Sequence, residues 1–275
     1  MMHFLGYAMA MVTGLSLGLM GSGGSILTVP VLVYLFQMNP VLATSYSLFV
    51  VGVTSLVGLS MRLRGRKVNL RAALAFAIPS LATVFLVRKY LVHELPQALH
   101  LPFGHIVSRD VLIMVFFSLV MLAAALSMLL KSKARAPEPT GTGDRPQGIP
   151  KLFLLGFEGV IVGSITGLVG AGGGFLIVPI MILLGRLSVE TAIGTSLAII
   201  TAQSFVGFLT DVSLLDKIEW NFLFQFSGLS VSGVLVGSFL GRNIRDESLK
   251  RGFGWFTLII ALLILGRELL TGGAR

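Results

Sequence analysis

The chain of 275 residues is 55% apolar and only 12% charged, where a soluble domain carries about a quarter charged residues. Its formal charge of +9 is spread through short gaps between apolar runs rather than gathered on one face, which speaks against nucleic acid as a partner. With no cysteine, disulfides, thiolate metal sites and cysteine nucleophiles are excluded. The composition is that of a polytopic membrane protein.

Ten apolar stretches follow one another: 4–20, 25–36, 41–61, 70–92, 109–131, 150–169, 174–185, 188–209, 220–241 and 252–270. The longer ones approach the ~20 residues that an α-helix needs to cross a bilayer. None shows the alternation of a membrane β-barrel strand, so the expected fold is all-α. The first stretch lacks a basic leader and is read as mature structure rather than a signal peptide.

Two stretches are too short to span, since twelve residues of helix reach only about 18 Å. Each follows a glycine-rich break, Gly21-Ser22-Gly23-Gly24-Ser25 in the first half and Gly170-Ala171-Gly172-Gly173-Gly174 in the second. Interrupted helices at matching places in two halves are a sequence pointer to a transporter's binding site.

The halves match at a constant offset of 149 from Gly14 to Gly58. Gly18-Leu19-x-Gly21-x-Gly23-Gly24-x-x-Leu27-x-Val29-Pro30 lies over Gly167-Leu168-x-Gly170-x-Gly172-Gly173-x-x-Leu176-x-Val178-Pro179. Ala43, Ser47, Leu48, Ser55, Val57 and Gly58 lie over Ala192, Ser196, Leu197, Ser204, Val206 and Gly207. This is a duplicated unit. We expect a first membrane repeat over 1–131, a polar cytoplasmic linker over 132–149 rich in proline and glycine, and a second repeat over 150–275.

Charge predicts orientation. Loop 62–71, the linker region and the segment 242–251, with Arg186, hold fifteen of the Lys and Arg residues; six fall on the other side, among them Arg88 and Lys89. Putting the first set inside follows the positive-inside rule. Arg62 and its basic neighbours align with the acidic stretch of Asp211, Asp216 and Glu219, so equivalent loops face opposite sides. The expectation is two inverted-topology repeats of about five helical segments each, in the inner membrane.

On this reading the two glycine elbows meet near the midplane. Glycine lets the backbone turn tightly and approach a ligand. The short helices after the breaks start with unpaired N–H groups and the positive end of a dipole, which favours an anion. Candidate binding residues are Gly21, Ser22, Gly23, Gly24 and Ser25 at the first elbow, with Gly170, Gly172, Gly173 and Gly174 at the second. Tyr46, Ser47, Thr54, Thr195, Ser196 and Gln203 on the following helices supply hydroxyl and amide donors, because no Lys or Arg is placed in a helix centre. The spacings Gly14/Gly18, Gly163/Gly167 and Gly233/Gly237/Gly241 are read as close helix packing.

Glu158, two turns into the sixth stretch, is a candidate for proton coupling or gating. The four histidines lack ligand spacing, so no metal site is expected; nor is a cofactor, and no catalytic set assembles within the membrane.

The doubled glycine element, each copy followed by Ala-x-x-x-Ser-Leu (Ala43–Leu48 and Ala192–Leu197), resembles the sulfite exporter TauE/SafE family of permeases. The resemblance implies a multi-pass carrier of sulfite, sulfoacetate or related small organosulfur anions, commonly moving outward. Ser45-Tyr46 stands where the second copy has Gly194-Thr195, which leaves the selectivity open. Rival readings are an anion channel and a membrane assembly factor without transport; self-association is left open.

Overall fold

The computed structural model describes residues 2–20, 24–63, 68–92, 98–100, 106–130, 149–183, 185, 187–211, 216–241 and 246–271. Gly21, Ser22 and Gly23, and all but Ile149 of the expected linker, lie outside them. Among the described residues the regular structure is helical, as expected, apart from a short antiparallel ribbon, β1 (Ala98–His100) and β2 (Ile106–Ser108).

Helix α1 (Met2–Met20) ends at the first glycine break. The return is a 3-10 turn Gly24–Leu27, one α turn α2 (Thr28–Pro30) and a wide π turn Val31–Leu35. Proline cannot donate to the carbonyl four residues back, and the register changes at Pro30. Then come α3 (Pro40–Leu63), α4 (Leu70–Leu86, prolonged by a π turn Val87–Val92) and α5 (Arg109–Leu130). The second half gives α6 (Ile149–Val169), α7 (Gly174–Leu183), α8 (Val189–Thr210), α9 (Trp220–Leu240) and α10 (Asp246–Thr271). Side chains cap two starts: Asn69 accepts from the Ala72 N–H (3.0 Å) and Ser188 from the Thr191 N–H (3.4 Å), each satisfying an otherwise orphan donor.

Among the described residues, five helices are long and apolar enough to cross a membrane. Within them 72% of the α3 span and 61% of the α8 span is buried, against 33–39% for the other three, so α3 and α8 are the central pair. The outer helices turn large apolar side chains outward, such as Phe153 and Phe157 on α6, Phe239 on α9 and Leu263 on α10. In water such a belt would drive aggregation; against lipid tails it is the stable arrangement.

Two seams of small residues join the halves. Along α1 and α9 a Cβ at Gly14 would stand 1.8 Å from the Ser230 carbonyl oxygen, and one at Gly18 2.3 Å from that of Val234. Along α6 and α4 a Cβ at Gly163 would meet the Ser80 carbonyl oxygen at 2.6 Å, and one at Gly167 that of Val84 at 3.4 Å. These backbones touch because the side chain is missing, which is the packing role read from the sequence. Residue numbers rise together along both seams, so each pair of helices runs in the same sense. The two seams are also images of one another: Gly14 with Ser230 and Gly18 with Val234 repeat as Gly163 with Ser80 and Gly167 with Val84.

Both glycine-broken pairs enter the bundle and return. The Phe36 ring, just past the first return, covers Gly6 near the start of α1 and stands edge-on to Tyr7 at 5.6 Å. In the second half, Ile177 and Met181 of α7 share a buried cluster with Leu155, early in α6. The returns touch each other: Ile26, Leu27 and Val29 share one buried cluster with Val169 and Ala171, walled by α5 and α10.

Candidate functional site

The second elbow is pressed between the two central helices. Gly170, Gly172 and Gly173 all have positive φ (69°, 67° and 61°), the left-handed region that glycine enters without the cost borne by other residues. A Cβ at Gly170 would stand 2.4 Å from Thr44 Cβ, one turn into α3. One at Gly172 would stand 2.7 Å from Val51 Cγ1, 3.1 Å from Ile200 Cγ2 and 3.2 Å from Ser204 Oγ. Val51 and Ile200 are each about midway along α3 and α8, so the loop descends from a helix end to the middle of the bundle. Helix α7 then starts at Gly174, where its first amides have no acceptor within the helix.

Around this loop lie buried polar atoms that have no partner: the hydroxyls of Ser47, Ser55, Thr166 and Ser204 and the Gln203 Oε1. Unpaired buried groups are costly, and in a native fold they call for an explanation. The Gln203 Nε2 donates to Ser80 Oγ. Thr166 lies against Gly173, whose Cβ would stand 2.2 Å from its hydroxyl oxygen. Ser55 and Ser204 occupy equivalent places on α3 and α8; the sequence showed that pairing, and the structure sets Ser204 beside Gly172.

Other nominated residues are engaged elsewhere. The Tyr46 hydroxyl accepts from the Glu219 N–H (2.6 Å) at the start of α9. Thr195 accepts from the Asn69 N–H (3.0 Å), at the opposite end of the bundle. Thr54 and Ser196 donate to carbonyls of their own helices, as hydroxyls in helices commonly do. At the first elbow Ser25 and Thr28 are buried and Gly24 opens the 3-10 turn, while Gly21, Ser22 and Gly23 lie outside the described residues. Glu158 is half-buried on α6, away from this loop. An apolar recess of about 280 Å³ opens between α1, the first return and α10, lined by Met9, Leu27, Tyr34 and Ile264 among others; none of the nominated residues lines it.

One feature corrects the charge-based reading. Arg88 and Asp211, taken there as loop charges, are both 0% exposed and form an ion pair. Arg88 sits in the π turn that ends the α4 span, so a cation does lie inside a membrane helix. Its Nε donates to Asp211 Oδ1 (2.9 Å) and its Nη2 to Asp211 Oδ2. Nη2 also lies 3.2 Å from Thr44 Oγ1 and 3.0 Å from Ser45 Oγ, and Nη1 donates to the Gly167 carbonyl (3.2 Å). The Ser45 hydroxyl donates to Asp211 Oδ2.

The cluster therefore ties α3, α4, α6 and α8 together beside the second elbow. Its only sequence signal was that Arg88 and Lys89 fell on the less basic side of the charge count, against the positive-inside rule. The place equivalent to it in the other copy is held differently. There Ser238, the image of Arg88 along the seam, donates to the Gly18 carbonyl (3.5 Å), the image of Gly167. Leu17, Leu197 and Val234 form an aliphatic cluster beside it, with Leu59 and Ile193 packed on. Leu17 takes the place of Thr166 and Ile193 that of Thr44.

The sequence profile of the family described as "Sulfite exporter TauE/SafE" matches residues 7–264. A "Probable membrane transporter protein" of Xylella fastidiosa is 28% identical over 263 residues, covering 94% of this chain and 92% of the relative. The "Probable membrane transporter protein YunE" of Bacillus subtilis is 26% identical, covering 98% of this chain and 99% of its own. A "Probable membrane transporter protein" of Methanocaldococcus jannaschii is 24% identical over 82% of this chain and 78% of its own. No solved structure matches the chain.

Proposed function

Since the chain belongs to the sulfite exporter TauE/SafE family of membrane transporters, we propose that it is a secondary carrier exporting small sulfur-containing anions such as sulfite, sulfoacetate or related sulfonates. It works by alternating access around the two glycine elbows. Residues 1–131 and 150–275 act as inverted repeats, and 132–149 with loop 62–71 face the cytoplasm across the inner membrane.

The observation that carries this reading is the second elbow. A glycine-rich backbone enters the bundle as far as the middle of the two central helices, next to buried hydroxyls that lack partners. Irregular backbone at membrane depth is tolerated where it is buried in protein or lines a cavity, and a helix start there presents N–H donors to an anion. The matching seams, with the first helix of each copy packed on the fourth of the other, support the inverted arrangement. Within this scheme Gly172–Gly174 and Ser204 hold the anion, with Ser55, Gln203 and the first elbow completing the pocket. Each helix start contributes about 0.3–2 kcal/mol, which gives the weak binding that turnover needs.

The test is counterflow in proteoliposomes. Unlabelled sulfite inside should accelerate entry of labelled sulfite, and the acceleration should saturate. Ohmic current without exchange would replace the carrier with a channel.

A further inference from the structure

We propose that Arg88 is an anion-recognition residue of this carrier, and that the Asp211 carboxylate is a built-in stand-in for substrate that holds the guanidinium until a small oxyanion replaces it. The inference rests on the anion-carrier reading above and adds a residue to it.

A guanidinium presents its donors as a planar fork, and two oxygens on one central atom fit that fork side-on. Asp211 does so here through Nε and Nη2. A sulfite or sulfonate group offers oxygens in the same relation. The surroundings add to the fork: the Ser45 hydroxyl already donates to the carboxylate, and Thr44 Oγ1, whose proton goes to the Val41 carbonyl, accepts from Nη2 (3.2 Å) and orients the guanidinium.

The position fits passage to and from the elbow. Nη1 is bonded to the Gly167 carbonyl, just ahead of the glycine break, and Gly170 packs directly on Thr44. Arg88 is carried by a π turn (Val87–Val92), a local register change that is frequent at functional sites. Asp211 caps α8 with non-helical dihedrals (φ −85°, ψ 37°), so its carboxylate can swing away without unwinding the helix.

A pair serving packing alone would be unusual here, because burying both charges forfeits hydration that apolar side chains would not miss. At the equivalent place in the other copy, Ser238 and an aliphatic cluster stand where Arg88 and Thr44 do.

The experiment is a sulfite titration read by thermal shift on purified wild type, Asp211→Asn, Arg88→Lys and the double variant Arg88→Gln/Asp211→Asn, with counterflow measured in parallel. With the competing carboxylate gone, Asp211→Asn should bind sulfite about tenfold tighter and exchange it more slowly. Arg88→Lys keeps the charge but loses the fork, and should bind about tenfold more weakly. The double variant should fold and lose both sulfite protection and counterflow. Wild-type affinity in Asp211→Asn, in Arg88→Lys or in the double variant overturns the proposal and leaves the pair as packing. If sulfite, sulfoacetate and sulfate all fail to protect the wild type, the anion-carrier reading falls first and takes this one with it.

Discussion

Replacing Gly172 by alanine tests whether the second elbow is held as tightly as its geometry requires. Two costs add. At φ 67° a residue with a Cβ sits in the left-handed region, at about 1–2 kcal/mol. The new methyl would also stand 2.7 Å from Val51 Cγ1, a stiff β-branched neighbour, and 3.1 Å from Ile200 Cγ2, an overpacking of about 1–3 kcal/mol. Together they give about 2–5 kcal/mol, a large part of the about 5–15 kcal/mol typical of a folded domain. Adding Val51→Ala makes room but leaves the dihedral strain, so the double variant should be less destabilised than the sum of the singles by about 1–2 kcal/mol. Unfolding in detergent, followed by the fluorescence of Trp220 and Trp255, reads all three variants. Gly172→Ala as stable as wild type, or strict additivity with Val51→Ala, would refute the account of the elbow.

Three other outcomes are expected. Arg88→Ala and Asp211→Ala should each cost about 3–5 kcal/mol, because each strands a buried charge, while Arg88→Leu/Asp211→Leu should recover most of it; midpoints of thermal unfolding check the set. Gly14→Ala, whose methyl would fall 1.8 Å from the Ser230 carbonyl oxygen, should part α1 from α9 and lower the yield of monodisperse protein. Gly228→Ala, on the same α9 but with nothing within 4 Å of its Cβ position, should behave as wild type in size-exclusion chromatography. Ser204→Ala removes a hydroxyl that has no partner, so stability should hold within about 0.5 kcal/mol while sulfite affinity falls; unchanged affinity would take Ser204 out of the site.

The sequence disclosed those parts of the molecule that are written as local pattern. Glycine runs followed by segments too short to span announce the broken helices, and the spacing of Gly14, Gly18, Gly163 and Gly233 announces the seams. Repetition points to Ser55 and Ser204, since both copies keep the hydroxyl. What stayed illegible depends on contacts distant along the chain. Arg88 and Asp211 lie 123 residues apart, each near the end of an apolar stretch, where a charge reads as a loop residue. Tyr46 and Thr195 are polar residues in central helices like Ser47, yet the structure sends their hydroxyls to the starts of α9 and α4. A hydroxyl's partner is chosen by which helix end passes nearby, and the sequence of its own helix does not contain that.

An upside-down duplication with identical copies would leave the carrier no preference between its two facing directions. Here the place around Arg88 is fastened by a guanidinium and a carboxylate, and its counterpart, among the described residues, by a serine hydroxyl with leucine, valine and isoleucine. Prying open the first means pulling apart opposite charges in a poor dielectric; prying open the second means parting one hydroxyl from a carbonyl and wetting hydrocarbon. On the alternating-access reading proposed above, unequal fastenings would give the empty carrier a resting orientation, and an arriving oxyanion would lower the barrier at the ionic end.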